Sequence, residues 1–398
     1  MDYKIVFEEL AKREHSGMKL GLEGISACLN ELNNPQNKFE IIHVAGTNGK
    51  GSTCAMIASS LRNLGVKTAL YTSPHLVKFN ERIQINGELI SDEDLLNLYK
   101  KLKPLLDKYN LTFFEATTVI AFVYFANNNV EKAIIEVGMG GRFDATNVVN
   151  PIVSIITDIG LDHVNYLGNT VDKIAFEKAG IIKNKVPVIV SRDNNGISVI
   201  EKVAKEKCAP IIYSIFSNLP VGLNGDFQKR NASLAFTALN FLKVPKENIC
   251  FGLAHTLWPA RMQKVGDIII DGAHNPLGVK VLCKELSKIK SKKILIVGIL
   301  EDKNYKLMLK MLSSYADYII FTKSHSTTRA MDSELLSKML PNKKVKFEVT
   351  SSIKEALNSA RKCKKKIGQE SAIVICGSLY LAGEALSELK FPLFRGEK

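Results

Sequence analysis

Six short runs of almost unbroken apolar residues set the strongest limit on how this chain folds. They are EIIHVA (40–45), KTALY (67–71), KAIIEV (132–137), IVSIIT (152–157), VPVIV (186–190) and PIIYS (210–214). Stretches with helical spacing lie between them. A strand that is apolar on both faces needs cover on both sides, and alternation with helices supplies it through a parallel sheet. The periodicity therefore predicts an α/β fold. Local signals add detail. Ser91 with Asp94 reads as a capping box ahead of a helix that Pro104 should kink or interrupt. Thr170 and Gly180 read as the cap and stop of a helix over 170–179. QINGEL (84–89), with Asn-Gly at its centre, reads as a small hairpin.

The alternation restarts after a loop-like stretch, LAHTLWPARMQKVGD, with strands at DIIID (267–271), KILIVGI (293–299), DYIIFT (317–322), KVKFEV (344–349) and SAIVIC (371–376). At 398 residues the chain exceeds one ordinary core. A boundary near 259–265 predicts two domains: residues 1–260, with a nucleotide-binding parallel sheet, and residues 265–398, smaller and Rossmann-like.

Chemistry concentrates where strands end. Between the strand at 40–45 and the next helix stands GTNGKGS, from Gly46 to Ser52. Glycines let a backbone curl so that successive N–H groups face a phosphate chain, and the following helix offers its positive end. The usual P-loop has four residues between its first glycine and the Gly-Lys pair; here only Thr47 and Asn48 intervene. Lys50 would neutralise β/γ-phosphate charge, and Ser52 or Thr53 would reach phosphate or metal. A bare Gly-Asn turn is the alternative, but a turn rarely needs three glycines, a lysine and two hydroxyls. After the next strand, YTSPHLVKFNERIQING carries Ser73 and His75. IIEVGMGGRFDATN carries Glu136 at the end of a strand too apolar for an unpaired carboxylate. That acid is either a hard ligand suited to Mg²⁺ or a buried partner of Arg142 or Lys50. TDIGLDHVNYLG adds His163, which taken alone reads as a structural histidine. An open parallel sheet gathers such strand ends into one crevice.

Bulk properties exclude other classes. The longest strongly apolar stretch, ATTVIAFVYFA, is about half of the roughly 20 residues a membrane span needs. The N-terminal MDYKIVFEELAKREH lacks a signal peptide's apolar centre. Seven cysteines, dispersed without a C-x-x-C pair, suit reduced thiols and a cytoplasmic protein. The net charge of +14 suits polyanionic substrates or a lysine-rich solvated surface. The densest run, RKCKKK (361–366), lacks the aromatic residues of single-strand nucleic-acid binders.

Taken together, GTNGKGS, YTSPHLVKFNERIQING, FFEATT, IIEVGMGGRFDATN, GLDHVNYLG, FEKAGI, DGAHNP and CGSLYLAGE resemble the folylpolyglutamate synthases, often also dihydrofolate synthases, of the Mur ligase superfamily. The resemblance runs from about Gly21 to Glu384. It implies an ATP-dependent ligase that adds L-glutamate to a folate-type carboxylate, on tetrahydrofolates, dihydropteroate or both, through an acyl phosphate. It implies ATP as co-substrate, two Mg²⁺ ions, a monomer, and no nucleic-acid or membrane partner. Another Mur-type ligase acting on a cell-wall precursor, a non-catalytic nucleotide-binding module and a nucleic-acid-stimulated ATPase are the rivals.

Site residues follow by the same resemblance. Gly46, Thr47, Asn48, Gly49, Lys50, Gly51 and Ser52 would hold the ATP phosphates, with Asn231, Arg261 and Asp271 as further nucleotide contacts. Ser73, Glu136 and His163 match metal ligands. Lys178 matches a lysine carbamylated in the family, beside the second magnesium. Leu22, Glu23, Thr112, Phe113, Phe114, Glu115, Phe143, Asp144 and Ala145 match the pterin-side segments, although Leu22, Glu23 and Phe113 to Glu115 serve equally well as core and cap residues. His274, with a catalytic role, and Ser378 match groups that grip the incoming glutamate; the residues after 265 thus contribute nucleotide and glutamate contacts. One departure stands out: Ala260 occupies a position where the family has glycine, which matters if that backbone needs positive φ.

Overall fold

The computed structural model describes residues 3–13, 21–215, 218–342 and 344–391. Among these, one compact unit runs up to Gly160 and includes Val164–Gly222 and Lys229–Thr256. The other comprises Leu161–His163, Leu223–Gln228 and the chain from Leu257 onward. The charged N-terminal stretch is helical over Tyr3–Lys12, while its residues 1, 2, 14 and 15 lie outside the described residues.

The first unit is built on eight strands: β1 (Glu40–Ala45), β2 (Thr68–Tyr71), β3 (Ile83–Ile85), β4 (Glu88–Leu89), β5 (Lys132–Glu136), β6 (Val153–Ile156), β7 (Val188–Val190) and β8 (Ile211–Tyr213). Their order is β4-β3-β2-β5-β1-β6-β7-β8. All neighbours pair in parallel except the β2–β3 and β3–β4 contacts. The β3–β4 hairpin is the one expected from Asn-Gly, with Asn86 and Gly87 both at positive φ. Apolar clusters cover both faces. One includes Leu29, Tyr99, Phe122 and Phe125, and the other Ile156, Ile174, Val190 and Ile200. The helix Phe113–Asn127 is buried on nearly every side. That placement explains an apolar stretch too short to span a bilayer. Among the described residues no helix is long and apolar enough to cross a membrane.

Ser91 caps the helix Asp92–Lys108 by accepting from the Asp94 amide, and Thr170 caps Val171–Ala179, which ends at Gly180. Of the two outcomes expected at Pro104, interruption does not occur: the helix Asp92–Lys108 continues through it. An internal proline costs about 3 kcal/mol. Five apolar residues of this helix, Leu95, Leu98, Tyr99, Leu102 and Leu106, are buried, each contributing about 1.5–3 kcal/mol, so packing wins.

The second unit carries β9 (Gln263–Val265), β10 (Ile268–Ile270), β11 (Lys293–Val297), β12 (Tyr318–Phe321), β13 (Lys346–Val349) and β14 (Ala372–Cys376), in the order β13-β12-β11-β14-β10-β9. Only β9 runs antiparallel. It falls in the stretch read from sequence as a loop. Three residues with one apolar side chain give no alternation to detect, and the pairing depends on the tight turn at Gly266, φ 59°. The basic run 361–366 lies at the end of the helix Ile353–Ile367, where cations suit the helix dipole.

Candidate active site

In the first unit β1, β2, β5 and β6 are parallel neighbours, so the loops that follow them leave from one edge of the sheet. The loop after β1 is anchored to the loop after β6. Thr47 and Asn48 both donate their amides to the Asp158 carbonyl, at 2.7 and 3.3 Å. The Thr47 hydroxyl donates to the Gly160 carbonyl and accepts from its amide, while Thr157 Oγ1 donates to the Asn48 carbonyl at 2.7 Å. Thr47 and Asn48 thus direct their N–H groups at Asp158, whereas the amides from Gly49 onward remain as donors toward the loop's mouth. These begin the helix Lys50–Asn63, whose first turn presents N–H groups that have no intrahelical acceptor. Two glycines are required here. A Cβ on Gly46 would collide with Thr157 Oγ1, and one on Gly49, at φ 88°, with the Asn231 side-chain amide. Asn231, expected as a nucleotide contact, is thereby placed directly against the loop.

Lys50 folds back over this loop. Its Nζ lies 3.2 Å from the Gly46 carbonyl, 3.4 Å from that of Thr47, and 3.9 Å from Glu136 Oε1. Glu136 sits buried at the end of β5, where Oε2 also accepts from the Ser73 amide at 3.2 Å. Of the two partners considered for this acid, Lys50 is the one beside it; Arg142 pairs with Glu177 at 2.7 Å. Lys178, on the helix Val171–Ala179, is buried and donates from Nζ to the Gly46 carbonyl at 2.9 Å. Among the described residues no three His, Cys, Asp or Glu side chains converge as a metal cage. A buried carboxylate with a serine beside it nevertheless fits Mg²⁺, which keeps several waters and takes phosphate oxygens in place of an all-protein cage.

Among the residues expected on the pterin side, Thr112 and Glu115 form a reciprocal capping box at the start of the helix Phe113–Asn127. Phe113 packs edge-on against Phe79 beneath the Arg82 guanidinium. Phe114 lies against the backbone of Gly138 and 6.0 Å from the Tyr71 ring. Asp144 is buried and accepts from the Met139 and Thr146 amides. Ala145 is buried beside it, whereas Phe143 is 41% exposed under the Arg142 guanidinium. Leu22 stands at the N-cap of the helix Glu23–Glu31, and Glu23 is exposed.

The second unit gathers its own polar cluster. Asp162 takes a hydrogen bond from Lys303 Nζ at 2.7 Å and one from Asn275 Nδ2 at 2.9 Å. His163 Nε2 and His274 Nε2 each lie 3.9 Å from it. The Lys303 cation, with these histidines, outweighs burial and holds the Asp162 carboxyl well below the usual range. His274 is pushed down to about 4 by burial, and its Nδ1 faces the Gly272 carbonyl at 2.9 Å. Asp271 is buried, with its oxygens accepting from the Met262 and Ala273 amides. Ser378 is buried as the cap of the helix Leu379–Glu388, accepting from the Tyr380 amide. Arg261 donates to the Ala260 carbonyl at 2.9 Å. The backbone at Ala260 does adopt positive φ, 55°, so alanine occupies a conformation that favours glycine. His163 is also left-handed, at φ 49°; it belongs to this unit, and its assignment as a metal ligand rests on the resemblance alone.

Asp158, Asp162 and Lys303 escaped the sequence reading. The signal was present as two acids in TDIGLDH and the Asp302-Lys303 pair shortly after the apolar strand KILIVGI.

The Mur ligase middle domain matches residues 44–251, and the dihydrofolate synthetase C-terminal domain matches residues 258–388. The chain is 33% identical to the dihydrofolate synthase/folylpolyglutamate synthase of Bacillus subtilis, over 94% of this chain and 96% of that protein. It is similar to the solved structure of Escherichia coli FolC in complex with DHPP and ADP, at 28% identity and TM-score 0.87, covering 97% of each chain. A bifunctional folylpolyglutamate synthase/dihydrofolate synthase, solved with Mn, AMPPNP and L-glutamate bound, matches at 28% identity and TM-score 0.87, over 97% of this chain and 98% of that one. With the phosphate loop, its lysines and its carboxylate in place, the chain belongs to the folylpolyglutamate synthase/dihydrofolate synthase family of Mur-type ligases and is an ATP-dependent ligase.

Proposed function

We propose that this chain joins L-glutamate to the carboxylate of a folate-type acid, with tetrahydrofolates and dihydropteroate as the acceptors to be distinguished. The convergence of Lys50, Lys178 and Glu136 on the Gly46 loop carries this reading. A carboxylate and an ammonium do not condense in water, because the acid has no leaving group. The acceptor carboxylate oxygen attacks the γ-phosphorus of ATP, ADP leaves, and an acyl phosphate forms. The neutral amine of glutamate then attacks the acyl carbon, phosphate departs, and a proton is released. Both steps build negative charge on phosphoryl oxygens. Lys50 and the amides from Gly49 onward stabilise that charge, and no protein nucleophile is required.

Ser73 and Glu136 would hold a divalent ion, with His163 a further ligand by resemblance and Mg²⁺, in two copies, the species expected. Such an ion, when bound, supplies charge neutralisation on the transferring phosphoryl group. Asn231, Arg261 and Asp271 are assigned to the nucleotide, Phe114 and Asp144 to the pteridine, and His274 and Ser378 to the incoming glutamate. The active form is taken as a monomer, which light scattering checks. Phosphate release with ATP, glutamate and each pteridine acid in turn, with products identified by mass, tests the reading. If no pteridine acid accelerates phosphate release, the reading fails.

A further inference from the structure

His43 stands in the middle of β1, fully buried between β5 and β6 in an otherwise apolar run. An imidazole in such surroundings is costly unless its nitrogens are bonded. Its Nε2 lies 2.9 Å from Thr146 Oγ1, and that hydroxyl lies 2.5 Å from Asp144 Oδ1. Asp144 also accepts from the Thr146 amide at 3.0 Å and the Met139 amide at 2.9 Å.

Counting protons assigns the tautomer. A carboxylate only accepts, so the single hydroxyl proton of Thr146 goes to Asp144. His43 must then donate from Nε2, which leaves Nδ1 as a lone pair, and Nδ1 has no hydrogen-bond partner among the described residues. The opposite tautomer would set two lone pairs against each other at Thr146 and bury an unsatisfied N–H, the costlier orphan. Burial and the nearby Lys183 push His43 down to about 3, so it stays neutral and acts as a fixed donor.

We propose that His43 is a positioning residue for the acceptor site: by donating to Thr146 it commits that hydroxyl to Asp144 and so holds the 138–147 turn in shape. The turn begins at Gly138, against the Phe114 ring, and ends at Asn147, whose Nδ2 donates to the carbonyls of Arg142 and Gly180. His43 is also three residues before Gly46, so a single strand supports both the phosphate loop and this turn. The inference rests on Phe114 and Asp144 lining the acceptor site, as read above.

Steady-state kinetics of His43→Leu and His43→Gln test it. Removing the donor should raise the acceptor KM about tenfold, the effect of losing one such bond, while the KM values for ATP and glutamate stay within about twofold. A glutamine, whose amide N–H reaches a similar position, should recover most of the loss. Thr146→Val should reproduce His43→Leu, and the double variant should be no worse than either. An unchanged acceptor KM in His43→Leu, or indistinguishable values for Leu and Gln, overturns the proposal. The ¹⁵N–¹H spectrum of the unmodified protein gives a readout free of folding defects: the proton must sit on Nε2 of His43, and a proton on Nδ1 sinks the idea. If no pteridine acid stimulates the unmodified protein, the functional reading has failed instead, and the spectrum still decides the tautomer.

Discussion

Lys178 Nζ donates to the carbonyl oxygen of Gly46 at 2.9 Å, although 132 positions separate the two residues. A lysine on a nine-residue helix is thereby buried against the phosphate loop rather than solvated.

Replacing Lys178 by alanine should lower turnover by about 100-fold or more, the scale of losing one well-placed charged group. If the working form is the carbamate implied by the family, high acetate or formate should restore part of the activity by supplying the missing carboxylate. Full activity in Lys178→Ala removes the residue from the site. Loss without rescue assigns it as a cation.

Lys50→Ala and Glu136→Ala should each reduce ATP-dependent ligation by about 100-fold or more. Circular dichroism and the unfolding midpoint should stay close to those of the unmodified protein for Lys50→Ala, whose side chain lies over the loop and outside the apolar core. Near-normal ligation in either variant would contradict the assignment.

Ala260→Gly should stabilise the protein. A left-handed alanine costs about 1–2 kcal/mol, and the added freedom of glycine in the unfolded chain returns about 0.4–1 kcal/mol of that. The expected net gain is about 0.5–1 kcal/mol, read as a higher denaturant midpoint at unchanged slope. A lower midpoint would mean that the buried Ala260 methyl group contributes more through packing than the backbone strain costs.

Stability should fall on mild acidification. Burial depresses His43 to about 3 and His274 to about 4. A group whose pKa is lower folded than unfolded stabilises the native state above its unfolded value. That contribution is lost as pH falls from about 6.5 toward the folded value. By pH of about 5.5 each histidine should have cost about 1.4 kcal/mol. Denaturant titrations across this range check the slope, and His43→Gln should remove its share. A flat profile between about pH 7 and 5.5 would show that these imidazoles are not held neutral.

Much of the architecture was legible because it depends on local period and local chemistry. Ser91 and Thr170 cap the helices expected of them, Asn86-Gly87 makes the hairpin, and GTNGKGS joins a buried strand to a helix. Two local rules failed. Pro104 was expected to kink or interrupt a helix and does not interrupt it, because its neighbours bury a continuous apolar face. Gln263–Val265 carries too few residues to show alternation, and becomes a strand only because β10 is available to pair with it. The motif around Ser378 was legible, yet the occupation of its hydroxyl as a helix cap was not.

The sequence by itself determined the strands other than β9, the helices between them, and which strand ends carry glycines, lysines and acids. Periodicity records whether a residue is buried, and turn residues record where the chain reverses. Neither records what a buried polar group meets. Lys178 on Gly46, His43 on Thr146 and Lys303 on Asp162 join positions 132, 103 and 141 residues apart. Parallel strands place neighbours by crossover order rather than by adjacency in sequence. Those pairings were decided by the tertiary structure alone, because desolvating a polar group is tolerable only where the fold delivers its partner.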